Sequence, residues 1–245
     1  GHSGAAMVAS LFRMGRIKGV VRPAIATPMP TYKGVSLLLD GGANADCKPL
    51  HLLQFAVMGS AYMEKVFDLK SPSVRILSIG EEETKGNFLV KHTIPHMREI
   101  GVNFQGTLEG RDVNTGETDV IVCDGFVGNI VLKMAEGLSK TIINMIKREV
   151  KKRPLAILGA LLAKGAFSAV KKHTNPDQYG GAPLVGVNGV AIISHGKSNE
   201  VAIFNALKTA KRLVEKNFVG DIAARVAALK DTFCAIEAEM QEEEK

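Results

Sequence analysis

The amino-acid sequence predicts a three-layer α/β/α fold, in which helices cover both faces of a mainly parallel sheet. The first observation is that short apolar strand patterns alternate with longer helical patterns along the 245 residues. The second is that a glycine-containing polar turn separates several of these strands from the helix that follows. Repeated strand–turn–helix units favour a mainly parallel sheet with helices on both of its faces.

The first half of the chain contains most of the predicted strand–helix units. The opening GHSGAAM is typical of a turn before a helix, and GVSLLLD (34–40) is a buried-strand pattern. The next segment, PLHLLQFAVMGSAYMEKVF (49–67), is helical. VRILSIG (74–80) is a second strand, followed by a helix over about 86–100 and by the short strand VNFQG (102–106).

The second half continues the alternation. TDVIVCDG (118–125) is the clearest strand pattern, and the long helix NIVLKMAEGLSKTIINMIKREV (129–150) follows it. GVAIISHG (189–196) precedes a helix over about 199–216. We treat residues 1–245 as one α/β catalytic region, with 151–173 as an apolar, basic-flanked helical insertion and 217–245 as a C-terminal helix with an acidic tail.

Composition excludes several classes of protein. With 46% hydrophobic and 23% charged residues the chain has the composition of a folded globular protein rather than a disordered one. The formal net charge of +6 favours an anionic substrate, an acidic partner or an anionic membrane surface. No basic helix carries interleaved aromatic residues, so nucleic acid is not expected. Three widely spaced cysteines indicate neither a disulfide framework nor a zinc site, which makes the cytoplasm the expected compartment.

Four polar, glycine-containing loops follow predicted strands: DGGANADCKP, GEEETKGN, CDGFVGN and SHGKSN. The carboxyl ends of parallel strands share one edge of a sheet, and helix N-termini at that edge bind anions. We therefore predict an anion-binding cleft formed by the following residues of these loops: Asp40, Asn44, Gly86, Asn87, Asp124, Gly125, Gly128 and His195. The opening turn, with His2, Ser3 and Gly4, is a further candidate anion-binding loop.

Two residues in these loops are candidates for direct chemistry. Asn129 lies where a helix N-cap or first-turn residue is expected, so it either caps the helix or donates, with the Gly128 and Asn129 N–H groups, to a developing oxyanion. Lys85 follows Glu81, Glu82 and Glu83 and is suited to contact a phosphate or polarise a carbonyl. The alternative for Lys85 is a surface charge cluster.

No cofactor or metal is expected from the motifs. Asp40 and Asp46 are oxygen ligands that a divalent cation accepts, but a turn held by Asx hydrogen bonds fits this short stretch better. HGKS resembles the end of a phosphate-binding loop, yet Ala191 occupies the position of the required upstream glycine. The sequence also contains no G-x-G-x-x-G.

The segment KREVKKRPLAILGALLAKGAFSAVKKH is apolar between clusters of lysine and arginine. It is too short and too charged to span a bilayer, which needs about 20 apolar residues. It favours a helix or hairpin in the membrane interface, with Leu158, Leu161, Leu162 and Phe167 in contact with lipid and the lysines at an anionic surface. A dimer-interface or core helix remains the alternative.

Along nearly its whole length the chain resembles the bacterial acyl-acyl-carrier-protein:phosphate acyltransferases, the PlsX family. The matching stretches are GRIKGVVRPAIATPMPT, LLLDGGANADCKPLHLLQFAVMGSAY, GEEETKGN, LEGRD, DVIVCDGFVGNIVLK, NPDQYGGAPLVGV and ISHGKSN. Members of the family carry AGNTGA where this chain has GHSGA, so His2 and Ser3 replace Asn and Thr. The resemblance also implies that a further βα portion precedes residue 1 in a longer protein.

The resemblance implies a doubly wound α/β/α fold similar to isocitrate dehydrogenase and phosphotransacetylase. It also implies a homodimeric enzyme that transfers a fatty acyl group from acyl-carrier protein to inorganic phosphate, without metal or nucleotide. The acyl phosphate product would pass to a membrane glycerol-3-phosphate acyltransferase for phosphatidic acid synthesis, at the inner face of the cell membrane. In this chemistry Lys85 and the helix N-termini hold phosphate, and Asn129 stabilises the oxyanion. The alternatives are a short-chain phosphotransacetylase using acyl-CoA, a metal- and nicotinamide-dependent dehydrogenase, and a non-catalytic membrane-associated scaffold.

Overall fold

The computed structural model describes residues 3–174 and 176–243, which form helices and strands in alternation. The elements of the first half, in order, are α1 (Ser3–Met14), β1 (Ala24–Ile25), β2 (Thr27–Thr31), β3 (Gly34–Leu39), α2 (Pro49–Phe67), β4 (Ser73–Ser78), α3 (Phe88–Met97) and β5 (Asn103–Glu109). Those of the second half are β6 (Val120–Val122), α4 (Gly125–Lys151), α5 (Pro154–Leu162), α6 (Lys164–His173), a 3-10 helix (Pro176–Tyr179), β7 (Ala182–Val185), β8 (Ile192–Ile193), α7 (Glu200–Glu215), α8 (Phe218–Ala228) and α9 (Lys230–Glu243).

The main sheet has five strands in the order β2-β3-β6-β4-β5. β3, β6, β4 and β5 are parallel to one another, and β2 pairs antiparallel with β3 at one edge. Leu37, Leu38 and Leu39 of β3 pair with the three residues of β6, so two short strands from distant parts of the chain form the centre of the sheet.

Helices cover both faces of this sheet, which confirms the predicted three-layer α/β/α class. On one face Leu37, Leu39, Val120 and Ile76 pack in a large core with α2, whose residues are almost all buried. On the other face Leu38 and its neighbours pack against the following residues from the start of α4: Val127, Val131 and Leu132. Alternate residues of the strands point to opposite faces, so each strand contributes to both cores.

A second, three-stranded sheet lies beside the first, in the order β1-β7-β8, and all of its pairings are antiparallel. It packs with α1 in a small core that includes Ile25, Leu184, Met7 and Leu11. The prediction that the strand in GVAIISHG belongs to the main parallel sheet is therefore wrong. Two-residue strands such as β1 and β8 contain too little periodicity for the sequence to reveal them.

Residues 125–173 form a long helix followed by a bent pair. α4 has 27 residues, about 40 Å of helix, and its buried residues are Gly125 and Gly128 in the first turns. α5 packs on α4, and α5 and α6 are bent by 67° relative to each other. No single helix in the described part of the chain is long and apolar enough to cross a membrane.

Helix boundaries differ from prediction at two places. The long helix was predicted from residue 129 but begins at Gly125, because Asp124 accepts a hydrogen bond from the Val127 N–H and so acts as the N-cap. The C-terminal region was predicted as one helix and contains two, α8 and α9, separated at Leu229.

We expect Gly128→Ala to destabilise the fold, because its Cβ would lie 1.9 Å from the Asp40 carbonyl oxygen, a backbone atom that cannot move aside cheaply. The free energy of unfolding should fall by about 1–3 kcal/mol, the range for overpacked sites. The matched control is Gly137→Ala in the same helix, where an added Cβ has no atom within 4 Å. It should raise stability by about 0.5–1 kcal/mol. Urea denaturation compares the two, and equal effects would contradict the close contact.

Candidate active site at the carboxyl edge of the main sheet

Three of the four predicted loops follow parallel strands of the main sheet and lie at its carboxyl edge. The loop 40–48 follows β3, the turn 123–124 follows β6, and the loop 79–87 follows β4. Because β3, β6 and β4 are neighbours in that order, these loops lie side by side. The fourth loop follows β8 in the second sheet, so the prediction that four loops share one sheet edge is wrong for SHGKSN.

The carboxylate of Asp40 holds the backbone of the loop 40–48 in place through hydrogen bonds. It is fully buried, and its Oδ1 accepts from the backbone N–H groups of Ile25, Gly42 and Ala43 at 2.9–3.1 Å. Its Oδ2 accepts from the Ala43 and Asn44 backbone N–H groups and from Asn44 Nδ2 at 2.7–3.1 Å. The expectation that Asp40 binds phosphate directly does not fit this geometry, because both oxygens are occupied and shielded. Asp40 holds the loop instead.

Asn44 connects this loop to two other elements. Its Nδ2 also donates to the Pro23 carbonyl at 2.8 Å, just before β1 of the second sheet. Its carbonyl accepts the Gly125 N–H at 2.7 Å, in the first turn of α4. Asn44 was predicted to bind phosphate, and that remains a prediction. Sequence reasoning missed the Pro23 and Ile25 backbone contacts, because no sequence motif marks a strand there.

The N-terminus of α4 packs tightly on the same loop. Asp124 caps the helix, and a Cβ on Gly125 would lie 2.8–2.9 Å from Asn44 and from the Asp40 carboxylate. The Gly128 N–H donates to the Asp124 carbonyl at 2.9 Å. The expectation that this N–H is open for an anion is therefore wrong, since it belongs to the regular helix ladder.

Asn129 is in the second turn of α4 rather than at its cap, which corrects the capping alternative. Its side chain is exposed and lies against Gly42, where an added Cβ would be 3.4 Å from the Asn129 Cβ. With its side chain at this surface, the Asn129 amide borders the loop that Asp40 holds. Its role as an oxyanion donor remains a prediction.

The loop after β4 is anchored by polar contacts. Asn87 caps α3 by accepting the Val90 N–H at 3.0 Å, and Thr107 Oγ1 donates to the Glu81 carbonyl at 2.7 Å. Gly86 has φ +116°, a conformation that favours glycine. The predicted contacts of Gly86 and Asn87 with phosphate remain predictions.

Lys85 is exposed at the tip of this loop, and its Nζ is 2.8 Å from Glu82 Oε2. Its hydrogen bond with Glu82 raises the pKa of the Lys85 ammonium, which therefore stays protonated at neutral pH. Glu83 pairs with Arg98, and Glu81 lies 4.0 Å from Arg111. The three carboxylates thus contact three different cations, and only Glu82 holds Lys85.

The thiols at this edge are poor nucleophiles. Burial, together with the charges of Asp40 and Asp124, raises the pKa of Cys47 to about 12. Burial also raises the pKa of Cys123 well above its usual value. The neighbouring His51 is buried and accepts the Lys48 N–H at 3.0 Å through Nδ1, and burial lowers the pKa of its imidazole to about 4. Both thiols stay protonated, so the geometry favours chemistry without a cysteine nucleophile.

The remaining predicted residues lie apart from these loops or beyond the described atoms. His2 and the side chain of Ser3 are outside the described residues, and Gly4 lies in the first turn of α1. His195 is exposed in the loop after β8, where its Nδ1 accepts the Lys197 N–H at 3.1 Å. Within residues 3–174 and 176–243 no group of three His, Cys, Asp or Glu side chains is placed to hold a metal ion.

The fold is similar to that of a solved phosphotransacetylase structure. A phosphotransacetylase from Streptococcus pyogenes superposes with a TM-score of 0.56 at 20% sequence identity, covering 87% of this chain and 61% of that one. At this identity the likeness establishes the fold only.

The sequence comparisons are more specific. The family described as "Fatty acid synthesis protein" matches residues 1–220, and the chain belongs to this family. The phosphate acyltransferase of Elusimicrobium minutum is 61% identical over 238 residues, which are 97% of this chain and 70% of that protein. The phosphate acyltransferase of Desulfitobacterium hafniense is 52% identical over 223 residues, which are 91% of this chain and 67% of that protein.

We expect Asp40→Asn to destabilise the protein severely. In the wild type each carboxylate oxygen of Asp40 accepts from three N–H donors. Whichever of the two positions the new NH2 group takes, the three donors there face another donor instead of an oxygen. Buried donors left without acceptors should lower the free energy of unfolding by about 3 kcal/mol or more. Asp46→Asn in the same loop is the control, and because Asp46 is exposed its effect should stay within about 0.5 kcal/mol. Urea midpoints that coincide for the two variants would refute the structural role of Asp40.

Proposed function

We propose that this protein transfers a fatty acyl group from acyl-acyl-carrier protein to inorganic phosphate and releases acyl phosphate for phospholipid synthesis. The observation that carries the proposal is the 61% identity over 238 residues to a protein named phosphate acyltransferase. Asn129, in the second turn of α4, and Lys85, on the loop after β4, both lie at the carboxyl edge of the main sheet, and this arrangement supports the same chemistry.

The reaction needs positioning more than covalent catalysis. A thioester carbonyl is already activated, and a phosphate oxygen adds to it to form a tetrahedral oxyanion. The C–S bond then breaks, the thiolate takes up a proton, and the acyl group stays on phosphate. The enzyme has to hold phosphate against the carbonyl and stabilise the oxyanion, and this sequence of steps uses neither metal nor nucleotide.

In the proposed mechanism Asn129 donates its side-chain N–H to the oxyanion. Its exposed side chain borders Gly42 in the loop that Asp40 holds, so it is accessible to substrate at this edge. Before phosphate binds, the hydrogen bond with Glu82 raises the pKa of Lys85 and keeps its ammonium group protonated. Lys85 then exchanges this ion pair for one with the phosphate. We propose that Gly86 and Asn87 on the loop after β4 line the same substrate region, and that His195 contacts substrate from the loop after β8. Gly125 is buried and its N–H donates to the Asn44 carbonyl, which corrects the expectation that it binds phosphate.

The proposed partners follow from charge and exposed apolar surface. An acidic carrier protein complements the net charge of +6. A homodimer is supported by a row of exposed apolar residues along α4: Phe126, Ile130, Met134, Leu138, Ile142 and Ile146. A contiguous apolar row of this kind is typical of an interface. We propose that a second copy of the chain covers it.

We further propose that α5 and the start of α6 attach the protein to the inner face of the cell membrane. Leu158, Leu161, Leu162 and Phe167 are exposed, and α5 and α6 contain no buried residue. Lysines and arginines flank this apolar tip on both sides, where each adds about 1 kcal/mol of attraction to an anionic surface. Attachment there places the acyl phosphate near a membrane glycerol-3-phosphate acyltransferase.

Replacing Lys85 or Asn129 should abolish most acyl phosphate formation without unfolding the protein. Asn129→Asp keeps the side-chain shape but loses the N–H donor, and loss of one oxyanion donor costs about 10²–10³ in rate. Lys85→Ala should lower turnover strongly through loss of the phosphate contact. Acyl phosphate is measured as its hydroxamate, with circular dichroism as the folding check. Lys91→Ala is the control for lost charge on the neighbouring helix, and wild-type rates in either test variant would refute that residue's role.

Changing Leu161 and Leu162 together to Glu should release the protein from anionic vesicles in a sedimentation assay while leaving catalysis on carrier-bound substrate largely unchanged. Two carboxylates cannot enter the apolar interface and are repelled by anionic lipid. The control pair is Phe204 and Leu207 to Glu on α7, where both side chains are 66% exposed, as Leu161 is at 65%. Retention on vesicles would exclude this anchor, and dissociation or aggregation of the variant would identify α5 as an interface helix instead.

A further inference from the structure

A cavity of about 360 Å³ lies between α1 and the loop that Asp40 holds. Its lining residues come from α1, from the segment before β1 and, in Asn44, from the loop 40–48. They are Met7, Leu11, Gly15, Arg16, Val21, Arg22, Pro23 and Asn44. The volume is in the range of small-molecule sites. Among these lining residues, Asn44 is the one that is predicted above to bind phosphate.

The two arginines of this cavity differ in their bonding. Arg16 donates through its guanidinium to the Val21 carbonyl, which fixes it as part of the wall. Arg22 is exposed, and among residues 3–174 and 176–243 its guanidinium has neither an ion pair nor a hydrogen bond. An arginine fork without a carboxylate partner beside a concave surface is suited to bidentate recognition of an anion.

The charges around Arg22 are of both signs. Burial lowers the pKa of the nearby His51 to about 4, and the positive charges of Arg22 and Lys48 act in the same direction. Three acidic groups belong to the same region. Asp40 is buried with both oxygens occupied, Asp124 caps α4, and Asp46 is exposed on the loop. None of the three forms an ion pair with Arg22 in the described structure.

The cavity also has an apolar wall. Met7, Leu11 and Val21 contribute apolar side chains to its lining, and Arg22 and Asn44 contribute polar ones. An amphipathic ligand with an aliphatic part and an anionic head matches this division. The Asn44 carbonyl in turn accepts the Gly125 N–H at the start of α4, so the cavity adjoins the helix that carries Asn129 in its second turn.

We propose that Arg22 binds a phosphate group in this cavity during the acyl transfer, as a binding residue of the site. The inference rests on the proposed function for the source of that group. Two substrates contain one: inorganic phosphate, and the phosphodiester of the prosthetic arm that bears the acyl thioester on the carrier protein. The shared chemistry is a phosphate oxyanion held by a guanidinium, with an aliphatic chain along Met7 and Leu11.

Binding is tested first without catalysis. Inorganic phosphate is titrated into the 245-residue protein while the imidazole resonances of His51 are followed by NMR, since a new anion beside Arg22 and Lys48 changes the field at that ring. If inorganic phosphate is the ligand, a saturable shift occurs in wild type and in the charge-matched control Arg13→Ala. In Arg22→Ala the midpoint should rise by about tenfold or more, with partial rescue in Arg22→Lys.

Kinetics then identify the source of the phosphate group. If Arg22→Ala raises KM for inorganic phosphate and changes kcat far less, the subsite binds free phosphate. If the variant instead raises KM for acyl-carrier protein, the control substrate is an acyl thioester of N-acetylcysteamine, which has no phosphate. A KM for this control that does not change assigns the subsite to the prosthetic arm. The proposal is overturned if neither KM moves more in Arg22→Ala than in Arg13→Ala. Wild-type protein that binds phosphate but forms no acyl phosphate would contradict the proposed function and leave the subsite standing.

Discussion

The buried carboxylate of Asp40 is the interaction on which the rest of the site depends. Five N–H groups converge on its two oxygens, from the strand β1, from the turn that follows Asp40 and from the side chain of Asn44. Burying an ionised carboxylate costs free energy unless its hydrogen bonds are replaced, and here they are replaced by a fixed set of donors. The loop therefore has one geometry, and the elements that supply the donors are held to it.

Several distant parts of the chain meet at this one group. The Asp40 carbonyl lies against Gly128, the Asp40 side chain against Gly125, and Asn44 extends the network to the second sheet through Pro23. The start of α4 and the second sheet are thereby positioned relative to each other across the same loop. Asn129 borders this loop at Gly42, and the Arg22 cavity borders it at Asn44, so a shift of Asp40 would displace both.

The molecule combines a tightly packed body with helices that expose many apolar side chains. α2 is buried along almost its full length between the main sheet and α3, α7 and α8. α4 is instead exposed beyond its first turns, and α5 has no buried residue. The hydrophobic effect acts on both sets of residues, so the exposed ones gain free energy only when another surface covers them.

The sequence by itself determined the elements whose patterns are long and strong. It located β3, the full extent of α2, the helix α7 and the three-layer class, because hydrophobic periodicity records which face of an element is buried. It also placed Asp40 and Lys85 on loops that follow strands, and the matching stretches pointed to the family. The cap at Asp124 is a local hydrogen bond to Val127, but the sequence offered Asn129 as a second residue of a good capping type and could not choose between them. Only the tertiary structure decided the second sheet and the contact of the Asp40 carboxylate with Ile25. These features depend on partners far away in the chain, as in the pairing of Ala24 with Val185, and local pattern holds no information about such partners.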